Sequence, residues 1–182
     1  MALDFLPKPK HAATLLWGGV AILVCVLLLT LRGGGYPTHL SINEVSFANN
    51  DGDWVELYNP TLSGLSLKGY YLSDNRRRLT RYSFSSDTII PSHGFLVLYG
   101  ENYTNPPEGA VVLPFSIGEG ETVYLVAADG RTIVDSMTTL GSDAASVGRF
   151  PDGSQDLFTF STATLGAPNQ KDHGDMQPMN RR

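Results

Sequence analysis

Between residues 37 and 170 no stretch keeps a helical period, whereas short apolar runs recur between Gly, Pro, Asn and Asp. This pattern most restricts the fold, because an amphipathic helix needs apolar residues three and four apart and a half-buried strand needs them two apart. The clearest case opens the region. Ile42-Asn43-Glu44-Val45-Ser46-Phe47 is followed by Asp53-Trp54-Val55-Glu56-Leu57-Tyr58-Asn59-Pro60. In the second run Trp54, Glu56 and Tyr58 point one way, and Val55 and Leu57 point the other. The connection Ala48-Asn49-Asn50-Asp51-Gly52 suits a hairpin turn. Pro60 lacks an N–H to donate, so the strand should end there. Trp54 is expected to be a core residue, since a large aromatic beside apolar neighbours buries much surface.

Further strand signals follow at short spacing. They include Leu65-Ser66-Leu67, Gly69-Tyr70-Tyr71-Leu72, Tyr82-Ser83-Phe84, Thr88-Ile89-Ile90 and Val111-Val112-Leu113. Phe95-Leu96-Val97-Leu98-Tyr99 is apolar throughout, which fits a strand buried on both faces or an edge packed by the leader. Thr122-Val123-Tyr124-Leu125-Val126, Asp129-Gly130 and Thr132-Ile133-Val134 make a strong hairpin signal. Ser146-Val147-Gly148-Arg149-Phe150 and Leu157-Phe158-Thr159-Phe160 complete the set. The expectation is an all-β domain, a β-sandwich. A polar tail, residues 170–182, is expected to fray.

The amino-terminal part is different. Residues 1–11 form a short basic leader, and residues 12–31 contain no charge. Twenty residues span about 30 Å as a helix, enough to cross a hydrocarbon core. Trp17 and Tyr36 sit near its ends, where membrane-interface aromatics collect. A cleaved signal peptide needs a shorter apolar region and a small-x-small site, and a lipoprotein needs a small residue before Cys25, where Val24 stands. An uncleaved transmembrane anchor is expected. Lys8 and Lys10 precede the span and only Arg32 follows closely, so the N-terminus is expected in the cytoplasm of a bacterium and the domain outside it. No ionisable residue lies in the span, hence no proton relay and no histidine to ligate a haem or chlorophyll-type pigment. Gly18 and Gly19 permit close approach of a neighbouring helix. Residues 32–37, with Gly33-Gly34-Gly35, form a flexible joint.

Charge and cysteine content bound the chemistry. Residues 1–32 hold three basic residues and one acid, +2; the remainder holds ten basic and seventeen acidic residues, −7. An acidic domain argues against nucleic acid as a partner. The single cysteine forms no intramolecular disulfide and no cysteine-based zinc site. Asn49-Asn50-Asp51-Gly52-Asp53 spaces oxygens as a calcium loop does, but Pro60 stands where a bidentate Glu is needed, so a plain turn is expected and no cofactor. Glu44 and Glu56 could face each other across the hairpin as an acid/base pair, or simply accept hydrogen bonds. Gly118-Glu119-Gly120-Glu121-Thr122-Val123 lacks the third glycine of a dinucleotide loop. His11, His39, His93 and His173 have no ligand spacing, and Asn102-Tyr103-Thr104 matches a glycosylation acceptor, a pattern common by chance. Arg76-Arg77-Arg78 with Arg81 is a basic cluster in an acidic domain, open to phosphates, anionic lipid or an acidic partner, or a solvated loop.

Several of these blocks are similar to one known family. Ile42-Asn43-Glu44-Val45, Asp53-Trp54-Val55-Glu56-Leu57-Tyr58-Asn59 and Leu67-Lys68-Gly69-Tyr70-Tyr71-Leu72-Ser73-Asp74 resemble the opening strands of the lamin-tail domain. Ile90-Pro91-Ser92-His93-Gly94-Phe95-Leu96-Val97-Leu98 resembles its middle strand, and Gly118-Glu119-Gly120-Glu121-Thr122-Val123-Tyr124-Leu125 with Asp129-Gly130 its later segment. Ser146-Val147-Gly148-Arg149-Phe150-Pro151-Asp152-Gly153 and Thr164-Leu165-Gly166-Ala167-Pro168-Asn169 resemble the closing motif of bacterial exported members. The resemblance covers about residues 38–169. It implies an immunoglobulin-like β-sandwich, preceded here by one transmembrane helix, and a non-catalytic module that often stands beside a separate enzyme domain. No such second domain is expected in this chain. The expected role is an accessory or stabilising subunit of a larger membrane complex, of respiratory or photosynthetic type. It would contact other subunits through Gly18, Gly19 and the sandwich, and lipid through the span. Arg76, Arg77, Arg78 and Arg81 are the expected partner-binding residues. The alternatives are a stand-alone envelope or surface-adhesion module and an anchored hydrolase.

Overall fold

The computed structural model describes residues 40–47, 51–140, 144–170 and 177–178. The expected span at residues 12–31, Gly18 and Gly19 within it, and the joint at residues 32–37 lie outside them. Among the described residues no helix is long and apolar enough to cross a membrane. The strands are β1 (Ser41–Ser46), β2 (Trp54–Tyr58), β3 (Leu65–Ser66), β4 (Tyr71–Ser73), β5 (Tyr82–Ser83), β6 (Ile89–Ile90) and β7 (Phe95–Tyr99). They continue with β8 (Val111–Val112), β9 (Thr122–Val126), β10 (Ile133–Thr138), β11 (Ser146–Arg149), β12 (Leu157–Phe160) and β13 (Gln177–Pro178). A seven-stranded sheet runs β13-β12-β11-β1-β2-β7-β8, and a four-stranded sheet runs β10-β9-β4-β5. β3 and β6 form a small ribbon. The two main sheets enclose one core, with Val45, Val55, Leu57, Leu98 and Val147 from the larger meeting Leu72, Val123, Leu125 and Met137 from the smaller.

The central hairpin forms as its alternation requires, with one irregularity. Ile42 pairs with Leu57 and Val45 with Val55, yet Glu44 pairs with Glu56, so the register slips between Ile42 and Glu44. Strict alternation would put Ile42 and Glu44 on the same face. The extra residue resolves that conflict: Ile42 and Val45 both reach the core, while Asn43 and Glu44 both serve the outer face. Such bulges re-aim side chains in this way.

Trp54 lies on the outer face with Glu56. It is 1 % exposed but stands apart from the inter-sheet cluster that Val55 and Leu57 join. Trp54 is thus buried, as expected of a core residue, but parity along β2 places it on the strap side of the sheet and not between the two sheets. The outer face is buried because residues 161–170 run back across it as a strap, bonded to Asn43, Glu44 and Glu56. Gly148 makes room for this strap. A Cβ there would meet Asn169 Nδ2 at 2.8 Å, Phe160 Cε2 at 2.9 Å and Asn43 O at 3.0 Å.

Other expectations are refined. The apolar run Phe95–Tyr99 is internal, between β2 and β8, and its last two residues are buried. Within the polar tail, Gln177–Pro178 pairs with β12. One ionic staple joins the two sheets. Arg149 donates from its Nη2 to both carboxylate oxygens of Asp135 at 2.8 and 3.0 Å and from its Nε to Ile42 O at 2.8 Å; Ile42 N donates to Asp135 Oδ2 at 2.8 Å.

Candidate functional site

Two places gather chemistry. The first is the row of acids beneath the strap. Glu44 and Glu56 are directly opposed on β1 and β2, and neither is exposed to solvent. Glu44 Oε1 accepts from the Ser146 hydroxyl and Oε2 from the Thr164 hydroxyl at 2.7 Å; Thr164 N lies 3.2 Å from both oxygens. Glu56 Oε1 accepts from Asn43 Nδ2 at 3.0 Å and Oε2 from Gly166 N at 2.8 Å. Asp152 Oδ1 accepts from Asn43 Nδ2 at 3.0 Å and Asn169 N at 2.9 Å. Burial pushes the Glu44 carboxyl up from its ordinary value. Burial, and then repulsion from Glu44 and Asp152, push Glu56 up to about 8.

The strap's own side chains are tied to one another as well. Asn169 Nδ2 faces two carbonyls, Arg149 O at 2.8 Å and Asn43 O at 3.4 Å, so the amide orientation is forced and Asn169 Oδ1 is an acceptor. Thr164 Oγ1 lies 2.5 Å from that oxygen and has one proton to give. The same hydroxyl lies 2.7 Å from Glu44 Oε2, so Thr164 ties Glu44 to Asn169. Glu56 faces two N–H donors, Asn43 Nδ2 and Gly166 N.

This arrangement is architectural. A general acid or nucleophile must reach a substrate, and these carboxyls are covered by the strap and committed to internal partners. Asp53 is committed as well: its Oδ2 accepts from Ile117 N at 2.7 Å and Asn102 Nδ2 at 2.8 Å, and its own N donates to Asn102 Oδ1 at 3.2 Å. The Asn102 amide thus braces the turn before β2. Glu121 closes the Gly118–Glu121 turn by accepting from Gly118 N at 2.8 Å, and strand β9 follows. Among the described residues no group of three or more His, Cys, Asp or Glu is placed to hold a metal. His93 lies 3.5 Å from the Tyr58 hydroxyl, and the other three histidines fall outside the described residues.

The second place is the arginine turn between β4 and β5. Its backbone is tied at several points by Ser73 and Asn75. Ser73 Oγ donates to Arg78 O at 2.7 Å, Arg77 N donates to Asn75 Oδ1 at 2.9 Å, and Arg78 N donates to Asn75 O at 3.0 Å. Asn and Ser side chains favour this local bonding over strand ladders. Arg76, Arg77 and Arg78 are exposed, and Arg76 places its guanidinium 5.8 Å from the centre of the Tyr124 ring.

Arg81 separates from the other three. It donates from Nη1 to both oxygens of Asp74 at 2.6 Å, donates from Nη2 to Pro114 O at 3.0 Å, and sits 4.9 Å from the Phe115 ring centre. Arg81, expected to bind a partner with the other three, is instead tied within the domain to Asp74, Pro114 O and the Phe115 ring. Pro114 is close in sequence to Ile117, which binds Asp53 just ahead of β2. The described chain begins beside Ser41, paired with Tyr58 at the other end of that strand. The arginine turn is thus rooted at the end of the sandwich remote from Ser41.

An all-β sandwich with a sealed carboxyl row and a presented turn has the character of a binding module. A model of the Lamin Tail Domain matches residues 36–141, and the chain belongs to that family, whose immunoglobulin-like domains are in general non-catalytic binding modules. No curated protein matches the chain. The family match ends before β11, β12 and the strap, which complete the sheet around β1.

Proposed function

We propose that this protein is a single-span, membrane-anchored binding module that serves as an accessory or stabilising subunit of a larger membrane assembly. The uncharged segment at residues 12–31 is the anchor, with its N-terminus in the cytoplasm and the sandwich outside. Gly18 and Gly19 give the span a surface for packing on neighbouring helices, and the sandwich docks on an extramembrane part of the same assembly. Tethering raises the local concentration of the domain at its docking site, so each contact needs only modest affinity. An assembly of respiratory or photosynthetic type fits this plan.

The observation that most supports the reading is the exposed Arg76-Arg77-Arg78 turn, held rigid by Ser73 and Asn75 on an otherwise acidic domain. The test is co-purification from membranes in mild detergent, with subunits identified by mass spectrometry. The wild-type chain should bring partner subunits with it, and an R76S/R77S/R78S variant should retain fewer. Protease added to intact spheroplasts should remove the sandwich. Recovery of the chain alone, or cleavage only in inverted vesicles, would refute the role or the topology respectively.

A further inference from the structure

We infer that Arg76, Arg77 and Arg78 act together with Tyr71 and Tyr124 as one docking patch, and that its ligand is an acidic segment of a protein partner. This rests on the binding-module reading above and adds the site's composition and the partner's chemistry. Leu72 and Leu125 pair and point into the core, so their neighbours Tyr71 and Tyr124 point outward from the four-stranded sheet. Tyr71 pairs with Val126 and Tyr124 with Ser73, which makes the two tyrosines diagonal neighbours on adjacent strands, about 7–8 Å apart. Both are half-buried. Thr80, at the far end of the turn, packs near Gly130 and Tyr71: a Cβ on Gly130 would meet Thr80 Cγ2 at 3.1 Å and Tyr71 Cε2 at 3.9 Å. The turn therefore folds back over the face that carries the tyrosines, and Arg76 lies over Tyr124.

Three features identify the ligand. The guanidinium groups are planar forks suited to carboxylates, and their backbone is already ordered, so little entropy is lost on binding. Asp74, the acid nearest in sequence, is paired with Arg81 and not with these three. Tyrosine and arginine side by side are the composition of protein-interface hot spots. Anionic lipid recognition uses clusters of about four to eight basic residues without an aromatic face of this kind. Nucleic acid would have to approach a domain whose charge beyond residue 32 is −7, seventeen acids against ten bases. An acidic strand or loop carrying one or two apolar side chains satisfies both halves of the patch.

The test uses the full chain in a mild non-ionic detergent and a fluorescent peptide of alternating Asp and Leu, read by anisotropy. A Ser/Leu peptide, phosphatidylglycerol vesicles and oligothymidylate are the comparison probes. The Asp/Leu peptide should bind best, and its affinity should fall at least about threefold from low to physiological salt. R76S/R77S/R78S should weaken it roughly tenfold or more, and Tyr124→Ser several-fold. The triple Lys variant should retain part of the binding, because charge persists and the fork is lost. Matching circular dichroism of these variants excludes unfolding as the cause. Equal binding to wild type and the triple Ser variant overturns the inference, as does preference for vesicles or oligothymidylate. If the chain co-purifies with subunits but ignores the acidic peptide, only this inference falls. If it is recovered alone while the peptide binds through the patch, the accessory-subunit reading falls and the patch stands.

Discussion

Glu44→Gln together with pH tests the buried carboxyl row. In the folded domain Glu56 is pushed from 4.5 up to about 8, mainly by burial. Between those values the folded protein holds a proton that the unfolded chain has released, so stability must fall as pH rises. The contribution is complete below about pH 4.5 and gone above about pH 8. Each pH unit in the window costs about 1.4 kcal/mol, so the whole window is worth roughly 5 kcal/mol. The raised Glu44 works in the same direction. Asp129, lowered to about 2 by the Thr132 hydroxyl and nearby N–H groups, acts only below about pH 4 and does not overlap. Glu44→Gln keeps the size of the side chain: its oxygen can accept from Ser146 and its amide can donate to Thr164 Oγ1. It also removes a negative charge opposite Glu56, worth about 3 kcal/mol at about 5 Å with an effective dielectric constant of about 20. Urea unfolding of the full chain in detergent, followed by near-ultraviolet circular dichroism from pH 5 to 9, should show wild type losing several kcal/mol. The Gln variant should match it within about 1 kcal/mol at pH 5 and exceed it by about 1–3 kcal/mol at pH 9. Wild-type stability that is flat or rises from pH 5 to 8 would refute the reasoning. So would a Gln variant weaker by more than about 2 kcal/mol at every pH.

Other perturbations address the packing. Gly148→Ala places a methyl against Asn169, Phe160 and Asn43 O, all at 3.0 Å or less, and should cost about 1–3 kcal/mol in the same urea assay. Trp54→Ala should cost about 3–5 kcal/mol, and an unchanged unfolding midpoint would show that the strap face adds nothing to stability. A fragment of residues 37–170 should be soluble, monomeric and β-rich by circular dichroism. One ending at residue 141 should aggregate, because β1 loses β11 and the carboxyl row loses its strap. Arg81→Ser should lower the thermal midpoint yet leave acidic-peptide binding largely intact, whereas R76S/R77S/R78S should do the reverse.

Local periodicity made most strands legible. The Trp54–Tyr58 alternation foretold which side chains share a face, and Asp129-Gly130 marked the β9–β10 turn. The side of the sheet that forms the main core was not legible, because both faces of β2 are buried and Trp54 looks equally at home on either. The bulge at Asn43 also escapes a period-two reading: Ile42, Asn43 and Glu44 reveal it only when their partners Leu57 and Glu56 are known. Of the candidate sites, the facing of Glu44 and Glu56 followed from the hairpin. Their saturation depends on Thr164 and Gly166, more than a hundred residues away. Arg81 could not be distinguished from Arg76–Arg78 by composition, since its commitment runs through Pro114 and Phe115 on a distant loop.

These separations explain how one small sandwich combines a sealed interior with an available surface. Acidic residues opposite one another on adjacent strands would repel if left ionised and exposed. Here the strap removes them from water, the raised Glu56 keeps a proton, and neighbouring N–H and O–H groups donate to the carboxyl oxygens. The result joins residues near both ends of the domain, with Asn43 and Glu44 on β1 bonded to Asp152, Thr164 and Asn169 beyond β11. On the other sheet the opposite choice is made. Asp74 neutralises Arg81 and leaves Arg76, Arg77 and Arg78 beside two tyrosines, with their turn already ordered. Charge is thus cancelled where the fold needs closure, and the recognition role proposed for this domain falls to the exposed arginine turn on the other sheet.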